Sequence, residues 1–200
     1  DGNASSGSSS SDNSSGGTTV ETPSKLTEAD LLKQGYQLKW QDNFDGNFLN
    51  RADWNVELHE KGWVNSEWQE YVDSDKNIQV KDGKLLIKPV ETVNADGTRS
   101  YTSGRINTQG KHDFKYGYFE CRAKVPTGKG YLPAFWMMPT DENLYGQWPK
   151  CGEIDIMEVM GQETNKAYGT IHYGEPHDQS QGTCTVDAKN NFADQYHTYA

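Results

Sequence analysis

Between Tyr116 and Val125 apolar and polar side chains alternate without a break. Phe119, Cys121, Ala123 and Val125 fall on one face, and Tyr118, Glu120, Arg122 and Lys124 on the other. A period of two is the pattern of a strand with one face on a core and the other in water. Similar short runs recur along the chain, separated by turn residues at Asp45-Gly46, Asp82-Gly83, Asp96-Gly97 and Gly128-Lys129-Gly130. Asn77–Val80 and Lys84–Lys88 flank Asp82-Gly83, which predicts a hairpin closed by a type I′ turn. Only Thr27–Gln34 (TEADLLKQ) reads as helix, with Thr27 as its N-cap. Many short strands and almost no helix predict an all-β fold, a two-sheet antiparallel β-jelly-roll sandwich.

The first 17 residues, DGNASSGSSSSDNSSGG, have almost nothing apolar to bury and cannot offset their own ordering entropy. Residues 1–24 are therefore expected to be a Ser/Gly-rich flexible linker and residues 25–200 a single catalytic-size domain. Such a tract suits a secreted or cell-surface protein. A formal net charge of -10 argues against nucleic acid and anionic membranes, which attract basic patches, and favours a neutral partner such as a glycan. No apolar run is long enough to span a bilayer, so no membrane insertion is expected, and the protein is expected to be a monomer. The three cysteines, Cys121, Cys151 and Cys184, form neither a disulfide framework nor a zinc pattern. Cys121, on the apolar side of its strand, is expected to be a buried thiol.

Trp148–Gly161, WPKCGEIDIMEVMG, carries the chemistry. Glu153, Asp155 and Glu158 lie within six residues, and the gaps hold Ile154, Ile156 and Met157 rather than polar residues. Glu153 and Asp155 share a face by the period of two. Glu158, five positions after Glu153, belongs on the opposite face of a regular strand. It joins the others only if one extra residue is accommodated, as in a β-bulge around Ile156–Glu158. Without a bulge the segment is a strand with two exposed acids and a third at its far end. No histidine lies in the cluster, and a hard cation would want more oxygen ligands. Two carboxylates about 5–5.5 Å apart are what glycoside hydrolysis with retention requires, and a third between them can hold the nucleophile and push the pKa values apart.

The string EIDIME within WPKCGEIDIME resembles glycoside hydrolase family 16 in its laminarinase branch; the lichenase branch lacks the extra Met. Other segments agree in order: Leu38–Phe44 (LKWQDNF) with the opening strand, Asn65–Tyr71 (NSEWQEY), Ser103–Thr108 (SGRINT), Gly110–Pro139 ending YLPAFWMMP, and Gly169–Gly174 (GTIHYG). The resemblance covers about residues 36–200. It implies a jelly roll with a concave substrate cleft, Glu153 as nucleophile, Asp155 as assisting carboxylate and Glu158 as general acid/base. It also implies sugar contacts from Asn65, Arg105, Trp136, Trp148 and His172. The function implied is endo-acting, retaining hydrolysis of β-1,3-glucan (laminarin-like) or mixed β-1,3/1,4-glucan. A non-catalytic β-glucan-binding protein on the same fold is the competing expectation, opposed by the survival of all three acids.

Single residues also have plainer readings. Any one of the six tryptophans is as well suited to core packing as to stacking on a sugar, and Trp54 reads as core while Trp63 and Trp68 stay open. Arg105 fits either an ion pair or a ligand contact, and His172 alone would be a structural histidine; the resemblance favours ligand contact for both. Two departures stand out. The opening strand has Asp42-Asn43-Phe44 where the family has D-E-F, and the chain stops at Ala200 in what reads as the start of a strand, so the C-terminal strands are expected to be missing. The resemblance implies catalysis without a cofactor. A structural calcium is implied on the side away from the cleft, near the opening strand, the Asp82-Gly83 turn and a C-terminal Asp, with ligands that the sequence does not assign.

Overall fold

The structure, a computed structural model, describes residues 26–200; the Ser/Gly tract expected as a linker over 1–24 lies outside the described residues. After helix α1 (Glu28–Lys33) come strands β1 (Asn55–Val56), β2 (Gln69–Tyr71), β3 (Ile78–Val80), β4 (Leu85–Ile87), β5 (Val90–Val93), β6 (Arg99–Ser103) and β7 (Ile106–Asn107). Then follow β8 (Cys121–Ala123), β9 (Ala134–Met137), the one-turn helix α2 (Glu142–Tyr145), β10 (Glu153–Val159), β11 (Lys166–Tyr173), β12 (Asp178–Thr185) and β13 (His197–Tyr199).

Local chemistry accounts for the small elements. Thr27 caps α1 by accepting from Asp30 N, and the Asp30 carboxylate accepts from Thr27 N, a reciprocal capping box. The helix buries no residue, so its cap is its main local support. β3 and β4 pair antiparallel, with Val80 opposite Leu85, and Lys81 and Lys84 exchange backbone hydrogen bonds across the turn. Asp82 and Gly83 have φ of 53° and 66°, the two left-handed positions of the expected type I′ turn.

The sheet that matters for function has four antiparallel strands in the order β12-β11-β10-β9. One side of it faces a core of Val125, Met157, Val159, Ala167, Phe192 and Tyr199. Burying aliphatic side chains such as Met157 and Val159 contributes roughly 1.5–3 kcal/mol each and fixes which side of β10 faces inward. A second core, Leu49, Ile78 and Val80 with Trp54 and Ile106 packed against it, organises the N-terminal half. That half contains β2-β6-β5 and the pairs β3-β4 and β1-β7. β2 and β6 run parallel, an arrangement that needs the long crossover through β3–β5.

Two segments differ from their expected extent. Tyr116–Val125 keeps its alternation of exposure from Phe119 to Val125, but only Cys121–Ala123 is laddered, against β13. Cys121 on this strand is half-buried rather than fully buried, and burial pushes its thiol pKa up. Leu38–Phe44 is not laddered among the described residues; side chains anchor it instead. Trp40 stacks on His112 and meets Trp54 edge-on, and both oxygens of Asp42 are engaged, one by Phe44 N and one by the Trp54 indole N–H.

Candidate active site

Strand β10 sets the positions of the acids. Against β11, Glu153 pairs with His172 and Asp155 with Thr170, and then the register slips so that Glu158 pairs with Tyr168. Against β9, Asp155 pairs with Trp136 and Glu158 with Ala134, with the slip between Asp155 and Met157. This is the bulge that the spacing of the acids demands. It absorbs one residue, sends Met157 and Val159 into the core, and leaves Glu153, Asp155 and Glu158 on the other face. Directly opposed residues share a face, so Trp136, Thr170 and His172 stand beside the acids.

The side chains converge. The Trp148 indole N–H donates to Glu153 Oε2 over 2.6 Å. His172 Nε2 lies 3.1 Å from Asp155 Oδ2, and one ligand-type atom each of Glu153, Asp155 and His172 falls within 4.8 Å of the others. Asp155 is only 5% exposed. Burial, then the charges of Glu153 and Glu158, then the hydrogen bond it makes to Glu153 push its pKa up to about 7. Glu158 also titrates above the ordinary glutamate range, chiefly through burial and secondly through Glu153, with His172 acting in the opposite direction. Asp155 and Glu158 thus both hold their protons to higher pH than free carboxyl groups do, the kind of environment in which one carboxyl can serve as an acid beside another.

The Arg105 guanidinium lies over two indoles, 4.6 Å from the ring centre of Trp136 and 5.1 Å from that of Trp63, with Tyr71 at 5.7 Å. Its Nε donates to Glu57 over 2.8 Å, so the ion-pair role is present, and the Glu57 carboxylate also accepts from Asn107 and meets His59 Nε2 at 2.9 Å. These bonds and charges hold Glu57 below the usual glutamate range despite its burial. His59 stacks flat on Trp63 at 3.5 Å. Through Trp136, this network continues the face that carries the acids. Beyond it the surface dips into a depression of about 730 Å³ lined in part by His59, Lys61, Tyr71 and Asp73; Glu153, Asp155 and Glu158 do not line it. Asn65 is exposed, with a left-handed backbone (φ 51°), two residues along the loop from Trp63. Trp68 is 69% exposed and leans on Tyr101. Trp54 packs against the second core as expected.

Sequence reasoning did not single out Glu57, His59, Asn107 or His177. A signal for the first two exists: Asn55, Glu57 and His59 alternate with Val56 and Leu58, the same polar-face pattern as β10. His177 has none, because a hairpin places it. It lies in the turn between β11 and β12, with Nε2 3.0 Å from His172 Nδ1 and its ring 4.9 Å from Trp148.

Known proteins resemble this chain over most of its length. Glucan endo-1,3-beta-glucosidase A1 of Niallia circulans is 41% identical over 190 residues, covering 87% of this chain and 28% of that protein. Glucan endo-1,3-beta-glucosidase of Cryptopygus antarcticus is 42% identical over 169 residues, covering 81% of this chain and 61% of its own length. The chain therefore spans less than two thirds of either relative. The X-ray structure of the laminarinase from Rhodothermus marinus superimposes with a TM-score of 0.73 at 36% identity, over 82% of this chain and 66% of that one. The two share an all-β jelly-roll architecture. The family model for glycosyl hydrolases family 16 matches residues 62–200, which contain the whole carboxylate strand, and the chain belongs to that family.

Proposed function

We propose that this chain is the catalytic part of a retaining endo-β-1,3-glucanase acting on laminarin-like β-1,3-glucan or mixed β-1,3/1,4-glucan. The observation that carries this reading is the bulge in β10, which gathers Glu153, Asp155 and Glu158 on one sheet face. Glu153, the acid that accepts hydrogen bonds from Trp148 and Asp155, is the nucleophile. Its carboxylate attacks the anomeric carbon, the glycosidic C–O bond breaks, and Glu158 gives its proton to the departing oxygen. In the second step Glu158, now ionised, takes a proton from water; the water oxygen bonds to the anomeric carbon and Glu153 leaves as a carboxylate. Asp155 keeps its proton throughout and donates to Glu153, which orients it for attack and stabilises it as a leaving group.

Trp136 and Trp148 offer flat faces for pyranose C–H groups, and His172, Arg105 and Asn65 offer donors for hydroxyls. Arg105 keeps its terminal nitrogens for this purpose while its Nε holds Glu57. The reaction uses carboxylates and protons alone, so a calcium bound elsewhere on the fold takes no part in it. A polymeric substrate supports action outside the cytoplasm, and we place the protein at the cell surface or beyond, as a monomer. No helix among the described residues is long and apolar enough to cross a membrane.

Product profiling on laminarin, lichenan, agarose and cellulose side by side tests the reading. Laminarin should give oligosaccharides fastest, with the new reducing end first appearing as the β anomer by proton NMR. Equal rates on laminarin and cellulose, or a first-formed α anomer, would overturn it.

A further inference from the structure

We infer that His177 is a positioning residue: its Nε2–H donates to His172 Nδ1, locking His172 in the tautomer whose Nε2–H faces Asp155 and so freeing the Asp155 proton for Glu153. This rests on the reading of Glu153 as nucleophile given above.

The inference follows from counting protons along one chain of contacts. His177 Nε2 is 3.0 Å from His172 Nδ1, and His172 Nε2 is 3.1 Å from Asp155 Oδ2. Asp155 in turn hydrogen-bonds Glu153. A neutral imidazole carries one N–H, so the chain has two neutral arrangements. In the first, His177 donates to His172, His172 donates to Asp155, and Asp155 donates to Glu153; every donor points toward the nucleophile. In the second, His172 donates from Nδ1 to His177. Its bare Nε2 then needs the Asp155 proton, and Glu153 loses that donor and faces a second acceptor. An imidazolium at His172 would satisfy both of its own contacts. Its positive charge beside Asp155 would favour the carboxylate, and so would remove the proton that Asp155 gives to Glu153. Only the first arrangement satisfies all three contacts, and it needs a donor at His177.

The second arm of the site passes through the same residue. Trp148, which donates to Glu153, packs against both His172 and His177. His177 therefore supports both hydrogen bonds that hold the nucleophile, although its own ring touches neither carboxylate of the pair Glu153 and Asp155. The β11–β12 hairpin brings it there, five residues on from His172.

The test is long-range proton–nitrogen correlation NMR on protein labelled with nitrogen-15 histidine, run at neutral pH on wild type, His177→Gln and His177→Leu. Wild type should show His172 neutral with its proton on Nε2. His177→Gln supplies an amide N–H donor and should keep that tautomer. His177→Leu should give a mixture. In parallel, kcat on laminarin should fall about 10-fold in His177→Leu with KM little changed, the size expected when an orienting partner is lost, and His177→Gln should recover most of it. A wild-type His172 protonated on Nδ1, or doubly protonated, would overturn the inference, as would an unchanged tautomer in His177→Leu. The wild-type spectrum decides even if a variant fails to fold. If wild type does not cleave laminarin, the proposed activity fails while the tautomer still reads the His177 contact.

Discussion

The proposed roles require Glu153 and Glu158 to hold opposite charge states in the first step, and their surroundings differ in that sense. Glu153 accepts from the Trp148 indole, whereas Glu158 is pushed toward its protonated form by burial and by the Glu153 charge. Replacing Glu153 by Ala should lower activity roughly 10⁴-fold or more on every substrate. Replacing Glu158 by Ala should spare aryl glycosides with good leaving groups, which need no proton. Added azide separates the roles: the Glu158→Ala product should be the β-glycosyl azide and the Glu153→Ala product the α anomer. The reverse assignment by NMR would mean that the two roles are exchanged. Asp155 carries a stability consequence. Its pKa rises from 3.8 to about 7 on folding, so the folded state holds a proton that the unfolded chain releases. The stabilisation this provides is complete below about pH 3.8 and is lost as pH rises toward 7. Asp155→Asn does not titrate, so the Tm of the variant relative to wild type should climb between pH 4 and 7 and level off above. A difference independent of pH in calorimetry would contradict the raised pKa.

Two elements show how far local sequence reaches. The β3–β4 turn is specified by two residues, because both of its central positions need φ above zero and Asp-Gly meets that need at low steric cost. A Cβ built on Gly83 meets nothing within 4 Å, so Gly83→Ala should cost only the backbone penalty, about 1 kcal/mol, in denaturant unfolding, with kinetics on laminarin unchanged. A cost several times larger would point to contacts absent from the turn. The bulge in β10 was legible by contradiction: three acids at unequal parity cannot share a face of a regular strand. Where the chain absorbs the extra residue is a property of both neighbours, since the register slips against β9 and β11 alike.

At the scale of the molecule, two cores hold the two halves, and the acid-bearing face runs from β11 across β10 and β9 to the Arg105 network. That network was only partly legible. Arg105 stood out as a lone charge, but its contacts with Trp63 and Trp136 are distant in sequence, and its pairing with Glu57 joins residues 48 apart. The opening segment shows the opposite failure. Leu38–Phe44 has strand-like composition, yet tryptophan packing and the Asp42 hydrogen bonds anchor it in place of a ladder.

The sequence by itself determined the strand-rich character, the type I′ hairpin, the capped first helix and the need for a bulge among Glu153, Asp155 and Glu158. Each of these rests on interactions within a few residues, where side-chain period and backbone preference act directly. Tertiary structure alone decided the electrostatic surroundings of the acids. The raised pKa of Asp155 needs burial by a sheet, the hold on Glu153 needs Trp148 folded back over it, and the His172 contact with His177 needs the β11–β12 hairpin to close. Electrostatics in a site depends on distance and solvent exclusion, and neither exists for these groups until the chain has folded.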